Sequence, residues 1–392
     1  MIKLIKNTFY KEKETKLEII RFITQAEKLS FGHECEEFER RFAKWQRRKH
    51  CVFVNSGSSA NLALVQALLN IGKLHKGDKV GFSAVTWSTN VMPLIQLGLE
   101  PVAVDIEFNT LNVSSRTLKE VLKKSKLKAI FLTNLLGFCD DIDNIKKLCS
   151  TRKILLIEDN CESLGSVYKD IKLGNFGFAS TFSFYVGHHM STIEGGAICT
   201  NDEKLATMLR IVRAHGWDRN LSRIRQREIR TRNKVNSTFY SRYTFYDLGF
   251  NLRPTEINGF IGNKQLELLE EIINKREKNF YYMASAIFKS EDRFLPLKFD
   301  HLDVVSNFAL PVVCRTGKIR EELVRRCIGK VEIRPIVGGN ILQQPFFKKY
   351  VRRIYLENPN AKLVHENGLY CGNNPELTKK EMSQIIRIFI QT

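Results

Sequence analysis

Through the first half of the chain, short apolar runs rich in β-branched residues alternate with segments whose apolar positions recur at helical spacing. Runs at Cys51–Val54, Lys79–Phe82, Pro101–Asp105, Ala129–Thr133 and Ile154–Ile157 predict strands. Between the first two, Leu62, Leu64, Val65, Leu68 and Leu69 mark one face of a helix from about Ser59 to Ile71, and Gly72 supplies its stop. Helices are also predicted at Ser88–Leu97, Ser115–Leu122 and Ile142–Cys149. Alternation of this kind predicts an α/β fold with a mostly parallel sheet covered on both faces. Functional groups then belong in the loops that follow the carboxyl ends of the strands.

Two further strands, Thr181–Tyr185 and Ala197–Thr200, flank a His-His turn, and a helix is expected over Asp202–Ala214. One long helical stretch runs from Thr255 to Phe288. Beyond it, strands near Phe308–Val313 and Val331–Arg334 and helices near Lys318–Cys327 and Lys379–Ile390 predict a smaller α/β lobe. The pattern divides the chain into a large domain, 1–265, and a small C-terminal domain, 266–392.

Composition narrows the class. The chain has 392 residues, 43% hydrophobic and 27% charged, which describes an ordinary globular protein. No apolar run reaches the roughly 18–20 residues that cross a bilayer, and MIKLIKNTFYKEKETK carries no export signature. Nine cysteines without a CxxC pair fit reduced thiols in the cytoplasm better than a disulfide frame or a zinc site, so no metal is expected. The net charge of +20 invites a nucleic-acid reading, but the Lys and Arg residues are spread along the chain and interleaved with acids. Neither nucleic acid nor membrane is therefore expected as a partner. The densest run, Arg223–Lys234 (RIRQREIRTRNK), reads as a solvated surface loop or as a rim attracting an anionic nucleotide diphosphate.

Three segments carry weak chemical signals. NSGSSANLAL at Asn55–Leu64 follows a strand and opens a helix, so it is either a phosphate cradle or a helix capped by Ser58. ILLIEDNCES sets Asp159 and Glu162 just past an apolar strand; Asp159 there faces a cation such as a protonated pyridine nitrogen, or caps a helix. Trp87, in SAVTWSTN, either stacks on a flat ring or fills the core. A fourth segment, Thr181–Gly196, reads TFSFYVGHHMSTIEGG, and no lysine occurs between Lys172 and Lys204.

Taken together and in this order, the segments resemble the DegT/DnrJ/EryC1/StrS family of pyridoxal-phosphate sugar aminotransferases, of fold type I. The resemblance covers nearly the whole chain, including FGHECEEFERRFAKW and GFNLRPTEINGFIGNKQLELL. Members of that family hold the cofactor as a Schiff base on a lysine. Here that position is His188, and an imidazole forms no Schiff base. His188-His189, EDNCES, RAHGWDRN at Arg213–Asn220 and RPIVGGN at Arg334–Asn340 are similar to the family's 3-dehydratase branch. A related branch binds an iron–sulfur cluster through a cysteine cluster that Cys139, Cys149 and Cys161 do not match, so no such cluster is expected.

The resemblance implies pyridoxal 5'-phosphate and pyridoxamine 5'-phosphate as cofactor, held without a covalent bond. Its phosphate would sit on Gly57, Ser58, Ser59 and Ser183, its ring against Trp87, and its pyridine nitrogen on Asp159. Glu162 would lie near the ring. Asn251 would reach the neighbouring subunit's phosphate, which implies a homodimer with shared active sites. The implied activity is that of a lyase. With glutamate as amino donor, His188 would serve as base while a nucleotide-linked 4-keto-6-deoxyhexose, GDP-linked by overall resemblance, loses its C3 hydroxyl and ammonia is released. Such products are 3,6-dideoxysugars of lipopolysaccharide O-antigen. The alternatives are an aminotransferase that works without the lysine link, and a non-catalytic basic binding protein on the same scaffold.

Overall fold

The computed structural model describes residues 1–391. Its centre is a seven-stranded sheet built from β1 (His50–Val54), β2 (Lys79–Ser83), β3 (Glu100–Val104), β4 (Ala129–Thr133), β5 (Leu155–Asp159), β8 (Ala179–Ser183) and β9 (Gly196–Thr200). A two-residue hairpin, β6 (Val167–Tyr168) and β7 (Ile171–Lys172), lies outside it. The strand order is β1-β9-β8-β5-β4-β2-β3, and only β9 runs against the others. Alternation along β4 explains the two-sided cover. Ala129 and Phe131 pack with Leu64, Leu68, Leu205 and Leu209 on one face, whereas Ile130 and Leu132 pack with Leu118, Ile142 and Ile145 on the other.

Local chemistry sets the helix starts. Ser56 accepts the Ser59 amide and opens the helix Gly57–Asn70, while Ser114 and Thr117 form a capping box for Ser115–Lys124. Thr255 and Asn258 do the same for Glu256–Glu267, and the Asn258 amide also donates to the Thr192 and Glu194 carbonyls. That helix therefore holds the segment following the His-His turn.

Three expectations are corrected. Pro93 breaks the predicted helix Ser88–Leu97 into a short 3-10 turn, Ser88–Asn90, and a helix, Met92–Gln96. The stretch from Thr255 to Phe288 is two helices, Glu256–Glu267 and Leu269–Ile287, meeting at Leu268. The basic run is a helix over Arg223–Arg232 rather than a loop, capped by Ser222 and tied inward where Arg230 donates to buried Asp218 at 2.6 Å.

A second sheet, order β10-β12-β11, comprises β10 (Ala309–Val313), β11 (Ile333–Pro335) and β12 (Gly368–Gly372). Val85 pairs with Asn340, so the turn after β11 lies against the loop after β2. A Cβ on Gly338 would come within 2.3 Å of the Thr86 carbonyl oxygen, which is why the approach needs glycine there. No helix among the described residues is long and apolar enough to cross a membrane.

Candidate active site

Loops following β1, β2, β5 and β8 converge with the turn after β11 around a cavity of about 410 Å³. Its wall includes Ser56, Gly57, Ser58, Trp87, Asp159, Glu162, Ser183, Tyr185, His188, Phe308, Arg334 and Tyr370. A groove of about 580 Å³ beside the helix Glu203–Arg213 is larger, but its Glu39 and Arg213 are committed to each other as a buried ion pair.

The start of the helix Gly57–Asn70 forms one end of the cavity. A Cβ on Gly57 would lie 2.6 Å from the Ser183 Cβ, so glycine lets the helix start press on β8. The cap falls to Ser56, not Ser58; Ser58 is exposed at the cavity. Ser59 departs from expectation. Its amide and hydroxyl are both engaged by Ser56, and it does not line the cavity. Backbone N–H groups at the start of a fourteen-residue helix, beside the Ser58 and Ser183 hydroxyls, suit a phosphate.

Trp87 is 54% exposed on the cavity rim, which removes the core reading. Asp159 is buried at the end of β5. It accepts from the Asn61 amide at 3.0 Å, the Asn90 amide at 2.6 Å and the Cys161 backbone N–H at 2.9 Å, and no helix begins there. Asn61 lies in NSGSSANLAL and Asn90 in SAVTWSTN, but nothing in either segment marks them as partners, and only the fold shows that both face one carboxylate. Glu162 is buried, and its Oε2 accepts the Leu136 amide at 3.0 Å. Burial, aided by the charge of Asp159, pushes its carboxyl up to about 8, so it is a neutral acid at pH 7.

His188 sits in the turn between β8 and β9. Its backbone N–H donates to Tyr185 and its carbonyl accepts from Arg276 at 2.9 Å. Ring centroids of Tyr185 and Phe308 lie 6.0 and 5.4 Å from the imidazole. Its Nδ1 is buried without a partner. Burial lowers its pKa to about 4, with Asp159 and the Ser183 backbone opposing and Arg276 assisting, so the imidazole is neutral at pH 7. His189 is also buried, with neither ring nitrogen bonded, and turns to a small void behind the turn rather than to the cavity. His215 stacks edge-on against Trp217 at 4.9 Å, away from both. Asn251 is exposed, accepts from Arg253 at 3.0 Å and does not line the cavity of its own chain.

The arrangement fits a flat, phosphate-bearing pyridine ring: an anion cradle at one end, an exposed indole, and a carboxylate held by two amides. A family model matches residues 10–389. The chain belongs to the DegT/DnrJ/EryC1/StrS aminotransferase family. It is 38% identical over 369 residues to the GDP-4-keto-6-deoxy-D-mannose 3-dehydratase of Escherichia coli O55:H7, covering 91% of each chain. A solved structure of the E. coli GDP-4-keto-6-deoxy-D-mannose 3-dehydratase with bound hydrated PLP superimposes with a TM-score of 0.89 at 33% identity, over 99% of both chains. A second structure of a GDP-4-keto-6-deoxymannose 3-dehydratase, with a trapped PLP-glutamate geminal diamine, gives the same score and identity over 99% of this chain and 100% of that one.

Proposed function

We propose that this chain is a lyase that removes the C3 hydroxyl from GDP-linked 4-keto-6-deoxymannose, with pyridoxamine 5'-phosphate as cofactor, glutamate as amino donor and ammonia as co-product. One observation carries the reading. A neutral imidazole, His188, stands at the position of the family's lysine, in a cavity that keeps the phosphate cradle, the indole and the carboxylate.

Gly57, Ser58 and Ser183, which line one part of the cavity, would hold the cofactor phosphate, Trp87 would cover the ring, and Asp159 would pair with the pyridine nitrogen. When bound, the cofactor supplies an electron sink for the carbon next to its amine. Glu162, neutral at pH 7, brings a hydrogen-bond donor rather than a second negative charge beside Asp159. His188 would serve as the base toward the cofactor's C4' carbon; its low pKa keeps it unprotonated across the neutral range. Without a lysine there is no amine to hold the cofactor covalently, and the route to a stable amino sugar is lost.

The reading includes a homodimer with shared sites. Asn251 is exposed and does not line its own cavity, and Phe239, Tyr240, Tyr243 and Phe245 are exposed nearby in sequence, a surface that suits a second copy of the chain. It also includes a large domain of residues 1–265 and a small one of 266–392, and a cytoplasmic setting, in keeping with nine free cysteines.

The test is incubation with glutamate and GDP-4-keto-6-deoxymannose, with ammonia assayed and products weighed by mass spectrometry. Ammonia and a 3,6-dideoxy product are expected; a stable amino sugar would overturn the reading. His188→Asn should keep the cofactor's absorbance and lose dehydration, and full activity in that variant removes the histidine from the base role.

A further inference from the structure

Residues 1–10 form neither helix nor a strand of the two main sheets, yet they run across both sides of the His188 turn. They are pinned first to the small sheet. The Ile2 amide donates to the Lys330 carbonyl at 2.7 Å, and the Glu332 amide donates back to Ile2 at 2.8 Å. The Leu4 amide donates to the Glu332 carboxylate at 3.0 Å. Backbone and β12 meet so closely at Leu4 that a Cβ on Gly372 would lie 2.8 Å from the Leu4 carbonyl oxygen.

A second set of anchors follows. The Lys6 ammonium donates to the Glu376 carbonyl and to Glu381, both at 2.8 Å, and the Asn7 amide donates to the Glu376 carboxylate. The Gln265 amide group brackets the Tyr10 backbone, accepting from its N–H and donating to its carbonyl, each at 3.2 Å. The Tyr10 hydroxyl donates to Glu271 at 2.6 Å.

Ile5 lies between the two sets. Its Cδ1 is 3.6 Å from where a Cβ on Gly187 would stand, and Gly187 immediately precedes His188. Leu4 and Ile5 share the cavity wall with His188, Phe308 and Val337. On the reverse side, Asn7 to Tyr10 line the small void with His189, Met190 and Arg276, whose guanidinium holds the His188 carbonyl. The turn is thus gripped from behind by a charge-assisted hydrogen bond and faced in front by an aliphatic side chain.

We propose that Ile5, carried on this doubly anchored strap, is a positioning residue: it shields one side of the His188 turn from water and fixes the imidazole within the cavity. The role rests on the proposed reaction for its consequence in catalysis, but the shielding itself is a property of the cofactor-free chain. A misplaced base is costly because proton transfer requires hydrogen-bond reach.

The experiment compares wild type with Ile5→Ala, Ile5→Val and Lys6→Met. In cofactor-free protein, the rate at which diethyl pyrocarbonate labels His188 is followed by mass spectrometry of the peptide. Ile5→Ala should label several-fold faster, Ile5→Val like wild type, and Lys6→Met in between. In the loaded enzyme, kcat should fall on the order of tenfold for Ile5→Ala while KM for the nucleotide sugar stays within about twofold. Unchanged labelling in both Ile5→Ala and Lys6→Met overturns the proposal, as does a lowered melting temperature with labelling and kcat at wild-type values. Should Ile5→Ala fail to fold, Lys6→Met decides alone. Because labelling needs neither cofactor nor substrate, it tests the strap even if the enzyme proves to catalyse another reaction.

Discussion

Replacing Glu162 by Gln is expected to stabilise the cofactor-free protein at neutral pH and to leave it unchanged in acid. The carboxyl is buried beside Asp159 and is pushed from 4.5 up to about 8. A carboxyl raised on folding contributes no penalty below 4.5, where both states are protonated. As pH climbs from 4.5 to 8, the unfolded chain releases the proton and the folded one keeps it, so stability is lost across that window. Two and a half pH units separate 4.5 from pH 7, and each is worth about 1.4 kcal/mol, giving a penalty of about 3 kcal/mol at pH 7. Gln cannot ionise and so removes the penalty, while its amide oxygen can still accept the Leu136 N–H that Glu162 accepts at 3.0 Å.

Urea midpoints of wild type and Glu162→Gln at pH 5, 6, 7 and 8 read this directly. The gain should be below about 1 kcal/mol at pH 5 and grow to about 3 kcal/mol at pH 7. His188 is common to both proteins, so its own acid titration cancels in the difference. A gain that is equal at pH 5 and pH 8, or a variant less stable than wild type at pH 8, would refute the argument. A buried group this costly to stability belongs where function retains it.

Trp87→Ala should leave stability within about 0.5 kcal/mol, because the indole is half exposed, but weaken cofactor binding roughly fivefold, the worth of about 1 kcal/mol of stacking. Equilibrium dialysis checks this, and an unchanged Kd removes the stacking role. Gly57→Ala should cost about 1–3 kcal/mol through overpacking, since the new methyl would stand 2.6 Å from the Ser183 Cβ. Thermal unfolding reads that loss, and Ser183→Gly added to it should restore most of it; a Gly57→Ala protein as stable as wild type shows the contact is not tight.

The parts of the fold that proved legible are those with local causes. Ala129–Thr133 and Lys379–Ile390 appear at the predicted bounds because a short fully buried run and an amphipathic segment behind a capping box each specify themselves. The long helix failed at Leu268, where no Pro or Gly marks the break between two otherwise continuous helical patterns. The basic run failed differently. Nothing apolar but Ile224 and Ile229 breaks its charge, and the contact that seats it, Arg230 on buried Asp218, joins residues twelve apart through tertiary structure.

The site divides along the same line. Gly57, Ser58, Trp87, Asp159, Glu162, Ser183 and His188 gather at one cavity, whereas Ser59 is engaged by the Ser56 cap and Asn251 is exposed outside that cavity. What the motifs could not carry is the environment that gives those residues their chemistry. The letter at position 188 shows that a lysine is missing. It does not show that the replacing imidazole is neutral, that its Nδ1 lacks a partner, or that Arg276, 88 residues away in sequence, donates to its carbonyl while Ile5, 183 residues away, packs beside Gly187. A histidine with a pKa near 6.5 would be half protonated near neutrality and a variable base; burial removes that ambiguity at the cost of a weaker base. The substitution and its surroundings therefore act as a unit: an imidazole forms no Schiff base, so the covalent hold is lost, and on the reaction proposed above the packing around the turn leaves the histidine one task, moving a proton.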